Sequence, residues 1–383
     1  MNKRNIAIDI FRALTMTLMV FVNNSWSVLD APAWMVHFDT WQDGMSLADI
    51  VYPMFLFAMG MSVPYALENR FAKGCDLGDT LRHILSRTFA LLMMGVFIYN
   101  LEGGMMGNKG VYCLLMVLGF FLVWNSYPAS FKARKWLRWA GVLILAGLAL
   151  SYRSPEGGLF QAGWWGILGQ IGWMYLFTAC AYLLCRNRRW VLAVLWGVLC
   201  IVNLSMAPMR SGEALTQGNI LFDLADALHL GKGHAALMAL GGALTVLAEQ
   251  RLKSAKAGIG LAAAAVLAIL GMAAHQGWIV SKNLGTLPWV LFVSALSVAL
   301  YTILRVLENK GWTAWARPIR TAGTATLTVY MIPYLFFSLW VFIDPQIPAW
   351  LCGNVGALKC ALFAALCIFV AWGLGKLGIK LKI

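Results

Sequence analysis

Twelve apolar runs of about 20 residues follow one another along this 383-residue chain, and that pattern limits the possible folds more than any single motif does. The runs begin near Ile8, Ser46, Thr88, Gly110, Trp136, Gly166, Trp190, His234, Gly258, Thr286, Ala322 and Val355. As a helix, each is long enough to cross a hydrocarbon core about 30 Å thick while satisfying its own backbone polar groups. With 61% hydrophobic and 12% charged residues, the chain has too little polar surface to cover such runs in water. The expected fold class is all-α, a polytopic integral membrane helix bundle of ten to twelve transmembrane helices. The longest polar gap, from about Ala207 to Gly233, spans only 27 residues. No soluble domain separates from the rest, and residues 1–383 read as one domain.

A net charge of +14 would suggest a nucleic-acid partner for a soluble protein. Here the basic residues alternate between gaps, which makes the charge a statement about orientation. One set of gaps holds 23 of them, from Lys3 and Arg4 through Arg82 and Arg87 to Lys376, Lys380 and Lys382. The other set holds six: Lys109, Arg153, Arg210, Lys232, Lys282 and Lys359. Because cytoplasmic loops carry the excess of lysine and arginine, both termini are expected in the cytoplasm and His37 on the outer face. No cleavable signal precedes the first run, which reads as a retained helix. Multi-pass insertion in a bacterial inner membrane is expected, with the bilayer as a partner and no nucleic acid.

The eight cysteines form no C-x-x-C pair and fall mostly inside the runs, as packing residues, so no metal is expected. Within the long gap, Leu221, Leu224, Ala225 and Leu228 have the spacing of one amphipathic face, which predicts a short helix over the outer mouth. Gly241 and Gly242 suit close helix packing in lipid. There is no convincing internal repeat of the kind found in many transporters.

Ionisable and amide groups at a membrane boundary are costly to keep, so they are candidates for function. The densest group lies in HFDTWQDGMSLADIVYPMFLFAMG, where His37 is followed by Asp39, Trp41, Asp43 and Asp49 ahead of an apolar run. A histidine here can accept and return a proton, or carry an acyl group on a ring nitrogen. Asp49 either caps the helix or orients His37, and the two roles are compatible. His229, His234 and His275 fall near the outer face without such neighbours. Asp9 and Arg12, three apart at the inner boundary, form an ion pair or meet a charged ligand. Asn23 and Asn24 reach the outer boundary as ligand contacts or caps. Gln170 needs a partner within its run, a helix or a ligand. Lys282 and Asn283 precede a run, where the lysine binds an anion or snorkels to the interface, and Tyr330 stands out among the hydroxyls of GTATLTVYMIPY.

In order along the chain, Asp9 and Arg12, LMVFVN ending at Asn23, then His37, Trp41 and Gly44, and ADIVYPMFLFAMG from Ala48 to Gly60 resemble the heparan-α-glucosaminide N-acetyltransferase family and its bacterial relatives. ILGQIGWMYL, the Lys282–Asn283 segment and the segment ending at Tyr330 extend the resemblance. The chain departs from the family pattern in five respects. Ala13 replaces a usual glycine, the spacings from His37 to Trp41 and from Trp41 to Asp49 are each one residue longer, AGTA from Ala322 to Ala325 replaces a P-G-x-N motif, and Pro333 stands in place of a histidine.

The resemblance implies acetyl transfer across a membrane, from cytoplasmic acetyl-CoA to an amino-sugar or related glycan acceptor on the outer face. It implies His37 as the active-site histidine with Asn23 and Asp49 as neighbours, and a homodimer. Acceptor contacts would come from Asn24, Trp41, Lys282, Asn283 and Tyr330. Donor phosphates would meet Arg12 with Arg82, Arg87 or Arg320, near Asp9, since arginine suits bidentate phosphate contact. Direct transfer and an acetyl-histidine intermediate are both open. The alternative is a transporter or flippase for a sugar or lipid-linked precursor, in which the same polar groups line a passage and no bond is made.

Overall fold

The computed structural model describes residues 5–128, 130–215, 233–252, 257–343 and 346–383. Twelve helices of 16 residues or more account for most of them. They are α1 (Ile6–Asn23), α2 (Leu47–Ala72), α3 (Leu77–Glu102), α4 (Lys109–Trp124), α5 (Arg134–Ser151), α6 (Gly166–Leu184), α7 (Trp190–Met206), α8 (His234–Leu252), α9 (Ala257–His275), α10 (Leu287–Asn309), α11 (Thr326–Ile343) and α12 (Gly353–Lys376). Eight of these, α1, α2, α3, α6, α9, α10, α11 and α12, are long and apolar enough to cross a membrane, while α4 and α7 are apolar but shorter. The chain is a multi-pass helical membrane protein. The amphipathic segment around Leu221 to Leu228, with His229, lies outside the described residues, as do Lys3, Arg4 and Lys232.

Ten of the twelve helices begin within two residues of the place the sequence predicts, and two begin elsewhere. The run expected near Thr88 belongs to a helix that starts at Leu77, capped by the Asp76 side chain on the Asp79 amide. Its first turns carry Asp79, Arg82, His83 and Arg87, so apolarity begins well after helicity does. The run expected near Ala322 is two pieces. A five-residue helix, Arg320–Thr324, ends at Ala325, and α11 begins anew at Thr326.

The helices at the centre are α1 and α2. α1 packs on α2, α10, α11 and α12, and α2 packs on α6 and α8 as well. About 67% of the most apolar stretch of α2 is buried, against 11% in α9, which marks α9 as peripheral. Gly60 and Gly242 explain how closely α2 and α8 approach: a Cβ on the first would strike the Ala239 carbonyl, and one on the second the Phe57 carbonyl. α1 is anchored at its start by Asn5, whose side chain accepts from the Ile8 amide, and by Glu308 at the end of α10, which accepts from the Ile6 and Ala7 amides at 3.0 and 3.1 Å. These contacts place the start of α1 beside the end of α10. The other end of α1 leads into the His37 loop, and α2 returns from it.

Candidate active site

The α1–α2 connection holds its shape through one buried carboxylate. Asp49, in the first turn of α2, is 1% exposed. Its Oδ2 accepts from the Ser46 amide at 3.0 Å, from the Ser46 hydroxyl at 3.1 Å and from the Phe38 amide at 3.2 Å. The Ser46 hydroxyl in turn caps the Ala48 amide, which completes a capping box. The other oxygen, Oδ1, lies 2.7 Å from His37 Nδ1. One oxygen therefore caps the helix and the other orients the histidine. With Nδ1–H directed at Asp49, Nε2 is the ring nitrogen of His37 that carries the lone pair.

A second connection, between α9 and α10, closes on this loop from across the bundle. Lys282 Nζ stands 3.1 Å from His37 Nδ1 and 3.3 Å from Nε2, and 4.0 Å from Asp49 Oδ1. Burial pushes the Lys282 ammonium below the ordinary lysine range, and the Asp49 carboxylate opposes that shift. Asn283 donates to the Phe38 carbonyl at 3.2 Å. Asp43 fastens the two connections together, accepting from the Val280 amide at 2.8 Å, from His275 at 2.9 Å and from Arg210 at 2.8 Å. Burial works to raise the Asp43 carboxyl, and these three hydrogen bonds overcome it and hold the group below the usual carboxylate range. Gly44, which donates to the Val280 carbonyl, sits at φ +152°, and a Cβ there would stand 2.6 Å from the Phe38 ring.

His37 and Lys282 open into a cavity of about 410 Å³ that is also lined by Asn23, Asn283, Tyr52, Gln170, His234, Trp164 and Trp289. Tyr52 donates to Gln170 Oε1 at 2.8 Å, so the partner that Gln170 needed is a tyrosine on α2. Trp289 donates to the Asp49 carbonyl at 3.2 Å and packs edge-on against His234. The lining combines aromatic faces with amides and the imidazoles of His37 and His234, a composition suited to holding a sugar or an acyl carbonyl.

A second cavity, about 520 Å³, reaches inward from the opposite end of the bundle. Arg12, Arg87, Tyr175, Tyr330, Lys380 and Lys382 line it, along with Thr324 to Leu327 at the start of α11. Arg12 donates to Thr326 Oγ1 at 3.1 Å, and Arg87 lies 4.7 Å above the Tyr175 ring. The break before Thr326 turns a helix N-terminus toward this chamber, where the helix dipole favours an anion. No carboxylate side chain lines it among the described residues. Both chambers are lined by Met19.

The remaining sequence candidates fall elsewhere. Asn24 is buried and bonded to Lys359 and Ser27 on the α12 side of α1. Trp41 is exposed, Arg82 lies on the exposed face of α3, and Asp9 and Arg320 share a third pocket of about 300 Å³ with Arg317. Tyr330 faces the inner chamber, away from His37.

Residues 4–172 match the family model described as heparan-alpha-glucosaminide N-acetyltransferase, catalytic. That match covers less than half of the chain, and over this N-terminal part the chain is similar to that family. It is 31% identical over 178 residues to the heparan-alpha-glucosaminide N-acetyltransferase of Mus musculus, which covers 39% of this chain and 26% of the mouse protein. It is 33% identical over 94 residues to the protein of that name from Homo sapiens, covering 24% of this chain and 13% of the human one. The match to the mouse relative thus spans about a quarter of that protein's length. The family stretch holds Asp9, Arg12, Asn23, His37, Asp49 and Gln170. Lys282, Asn283, His234 and Tyr330 enter the two chambers from beyond it.

His234, Tyr52, Trp164 and Trp289 were not singled out by sequence reasoning as lining one chamber. His275, which lacks acidic neighbours in sequence, finds Asp43 across 232 residues. The family stretch could have flagged Tyr52, which lies within ADIVYPMFLFAMG.

Proposed function

We propose that this protein is a transmembrane acetyltransferase, one domain over residues 1–383. It takes acetyl groups from acetyl-CoA at the cytoplasmic mouth and delivers them to an amino sugar or related glycan at the outer face of a bacterial inner membrane. The observation that carries this reading is the pair of chambers, which open toward opposite ends of the bundle and meet at Met19. One is lined by Arg12, Arg87, Lys380 and Lys382, side chains suited to a nucleotide's phosphates, and the other holds the Asp49–His37–Lys282 row. The match of residues 4–172 to the heparan-alpha-glucosaminide N-acetyltransferase family model supports the same chemistry.

In this reading Arg12 and Arg87 hold the donor and the thioester reaches past Met19 to His37. Arg12 and Asn23 are 11 residues apart on α1, which is about 16 Å along the helix axis, so the reacting carbonyl dips well into the bundle. His37 Nε2 removes a proton from the acceptor amine or hydroxyl as the acceptor attacks the thioester carbonyl. Asn23 and the Lys282 ammonium stand near the oxygen that becomes negative. When the carbon–sulfur bond breaks, the departing thiolate takes the proton back from His37, and coenzyme A is released toward the basic chamber. Asp49 keeps the imidazole in the required tautomer throughout.

Purified protein in detergent, given labelled acetyl-CoA and a panel of amino sugars and glycan fragments, should release free coenzyme A and acetylate at least one acceptor. His37→Ala should lower the rate by roughly 10² to 10⁴ at an unchanged melting temperature. Retained transfer in that variant would remove His37 from the site. Consumption of no acetyl-CoA with any acceptor would remove the reading itself and leave a transporter. A burst of acetylated protein that disappears in His37→Ala selects the covalent route over direct transfer.

A further inference from the structure

The turn that leads into α6, from Gln161 to Trp165, is pressed onto α3 and held there by Asn100, Tyr99 and Gly95. The buried side chain of Asn100 takes both main-chain polar groups of Gln161, donating to its carbonyl at 2.7 Å and accepting from its amide at 3.2 Å. Gly163, at φ +50°, runs so close to α3 that a Cβ there would strike the Tyr99 ring, and a Cβ on Gly166, at φ +63°, would strike the Gly95 carbonyl. Between these glycines the Trp165 amide closes the turn on the Ala162 carbonyl at 2.9 Å. Trp165 itself sits at φ +71°, one of two non-glycine residues with a positive φ among the described residues. A bulky side chain in the left-handed region is strained, because its Cβ crowds the following carbonyl oxygen.

Strain of this kind persists where the surroundings over-determine the backbone, and here it accompanies an indole placed in the reactive chamber. Trp165 packs edge-on against Trp173 at 5.5 Å, while its neighbour Trp164 lines the cavity that holds His37, Asn23 and Asn283. The Trp164 ring meets Tyr99 at 6.1 Å and 86°, an edge contact that fixes its orientation, and the residue is still 39% exposed. A rigid mount and a partly open aromatic surface are what a binding platform needs. The neighbouring groups say what it would hold. A pyranose has a ring face made of C–H groups, which suits an indole, and a rim of hydroxyls, which suits the amides and imidazoles of this lining. An open-chain amino alcohol of the same composition has no such face, since its C–H and hydroxyl groups turn about a flexible backbone.

We propose that Trp164 is the platform on which the acceptor's sugar ring stacks, and that it makes the site selective for a closed pyranose over an open-chain acceptor. This rests on the His37 chamber being the acceptor site of an acetyltransferase, as proposed above. Trp164 takes no part in the Asp49–His37–Lys282 contacts and does not line the chamber of Arg12 and Arg87, so its effect should fall on the acceptor and spare the donor.

The experiment gives full-length protein in detergent acetyl-CoA and two paired acceptors: methyl glucosaminide, a closed ring, and glucosaminitol, its open-chain relative. Wild-type protein should have a KM about tenfold lower for the ring. In Trp164→Ala the KM for the ring should rise about tenfold, so that the two acceptors become nearly equal, while the KM for acetyl-CoA stays put. Trp164→Phe, which keeps a flat ring, should retain a preference that Trp164→Leu, apolar but not flat, loses. If the alanine variant lowers the melting temperature, the phenylalanine and leucine variants decide the matter between them. An unchanged KM in Trp164→Ala would make the indole a member of the interfacial aromatic belt and overturn the proposal. An equal rise for both acceptors, leucine as effective as phenylalanine, or wild-type protein indifferent to ring closure would overturn it as well. Titration of each acceptor without donor separates this proposal from the one it rests on. Wild-type protein that binds the ring with that preference, lost in Trp164→Leu, yet transfers no acetyl group keeps the platform and removes the acetyltransferase reading. Transfer to both acceptors without preference does the reverse, and neither binding nor transfer with either acceptor overturns the platform.

Discussion

Asp49 serves two structures at once, because its two oxygens face different partners. Sequence alone allowed either a helix cap or a histidine orienter, and the geometry gives Oδ2 the first role and Oδ1 the second. This much was legible because His37 and Asp49 are twelve residues apart on one loop. Lys282 was visible as a charged residue at a boundary, but its position beside His37 requires two connections 245 residues apart to meet. Asp49→Asn should retain the cap and lose the charge that favours the Nδ1–H tautomer. A drop of roughly 10² to 10⁴ in kcat with little change in donor KM is expected, read as release of free thiol. Lys282 gives a pH signature. Its folded pKa is lowered below 10.5, so the rate should fall as pH rises through that lowered value, when the ammonium near the reacting oxygen is lost. Stability should move the other way across the same window, because the unfolded chain binds the extra proton there and folding is favoured as pH rises. In Lys282→Arg, whose guanidinium titrates above about 12, the alkaline fall in rate should leave the measurable range.

At the level of elements, most of the bundle could be located from hydropathy, since ten helices start where the apolar runs do. The two exceptions share a cause: a hydropathy run reports where lipid contact begins, and a helix can begin before it or be interrupted within it. α3 projects polar turns ahead of its apolar stretch, and the break at Ala325 costs little hydropathy because Thr324 and Thr326 flank it. That interruption lies where the family's P-G-x-N motif is replaced by AGTA, and it turns the start of α11 toward Arg12. The long connections were harder to read, because their order depends on Asp43 reaching Val280, His275 and Arg210. Asp43 is held below its ordinary pKa of 3.8, so its contribution to stability is present above that value and lost as pH falls through the lower folded one. Wild-type protein should therefore lose melting temperature as pH drops below about 4. Asp43→Asn should start lower at neutral pH and fall less steeply, as followed by intrinsic tryptophan fluorescence in detergent.

For the whole molecule, the meeting of two chambers at one residue could not be read from sequence. Met19 lies in an unremarkable apolar stretch of α1, and only the packing of α2, α6 and α11 around that stretch gives it a chamber on each side. An unbranched, flexible side chain suits a partition that a slender group must pass. Met19→Trp should block that passage while leaving both mouths intact. Acetyl transfer should fall at least tenfold while coenzyme A still binds with near wild-type affinity by titration. Equal loss of binding and transfer would instead mean that the donor's nucleotide end reaches as far as Met19.

The same residue has an electrical consequence. Met19 is 3% exposed, so the side chain that both linings share is apolar and buried. An activated acyl group can be handed across such a boundary one bond at a time, whereas a hydrated ion would have to shed its shell to follow. In the transfer proposed above, carbon crosses at this partition while the membrane keeps its voltage.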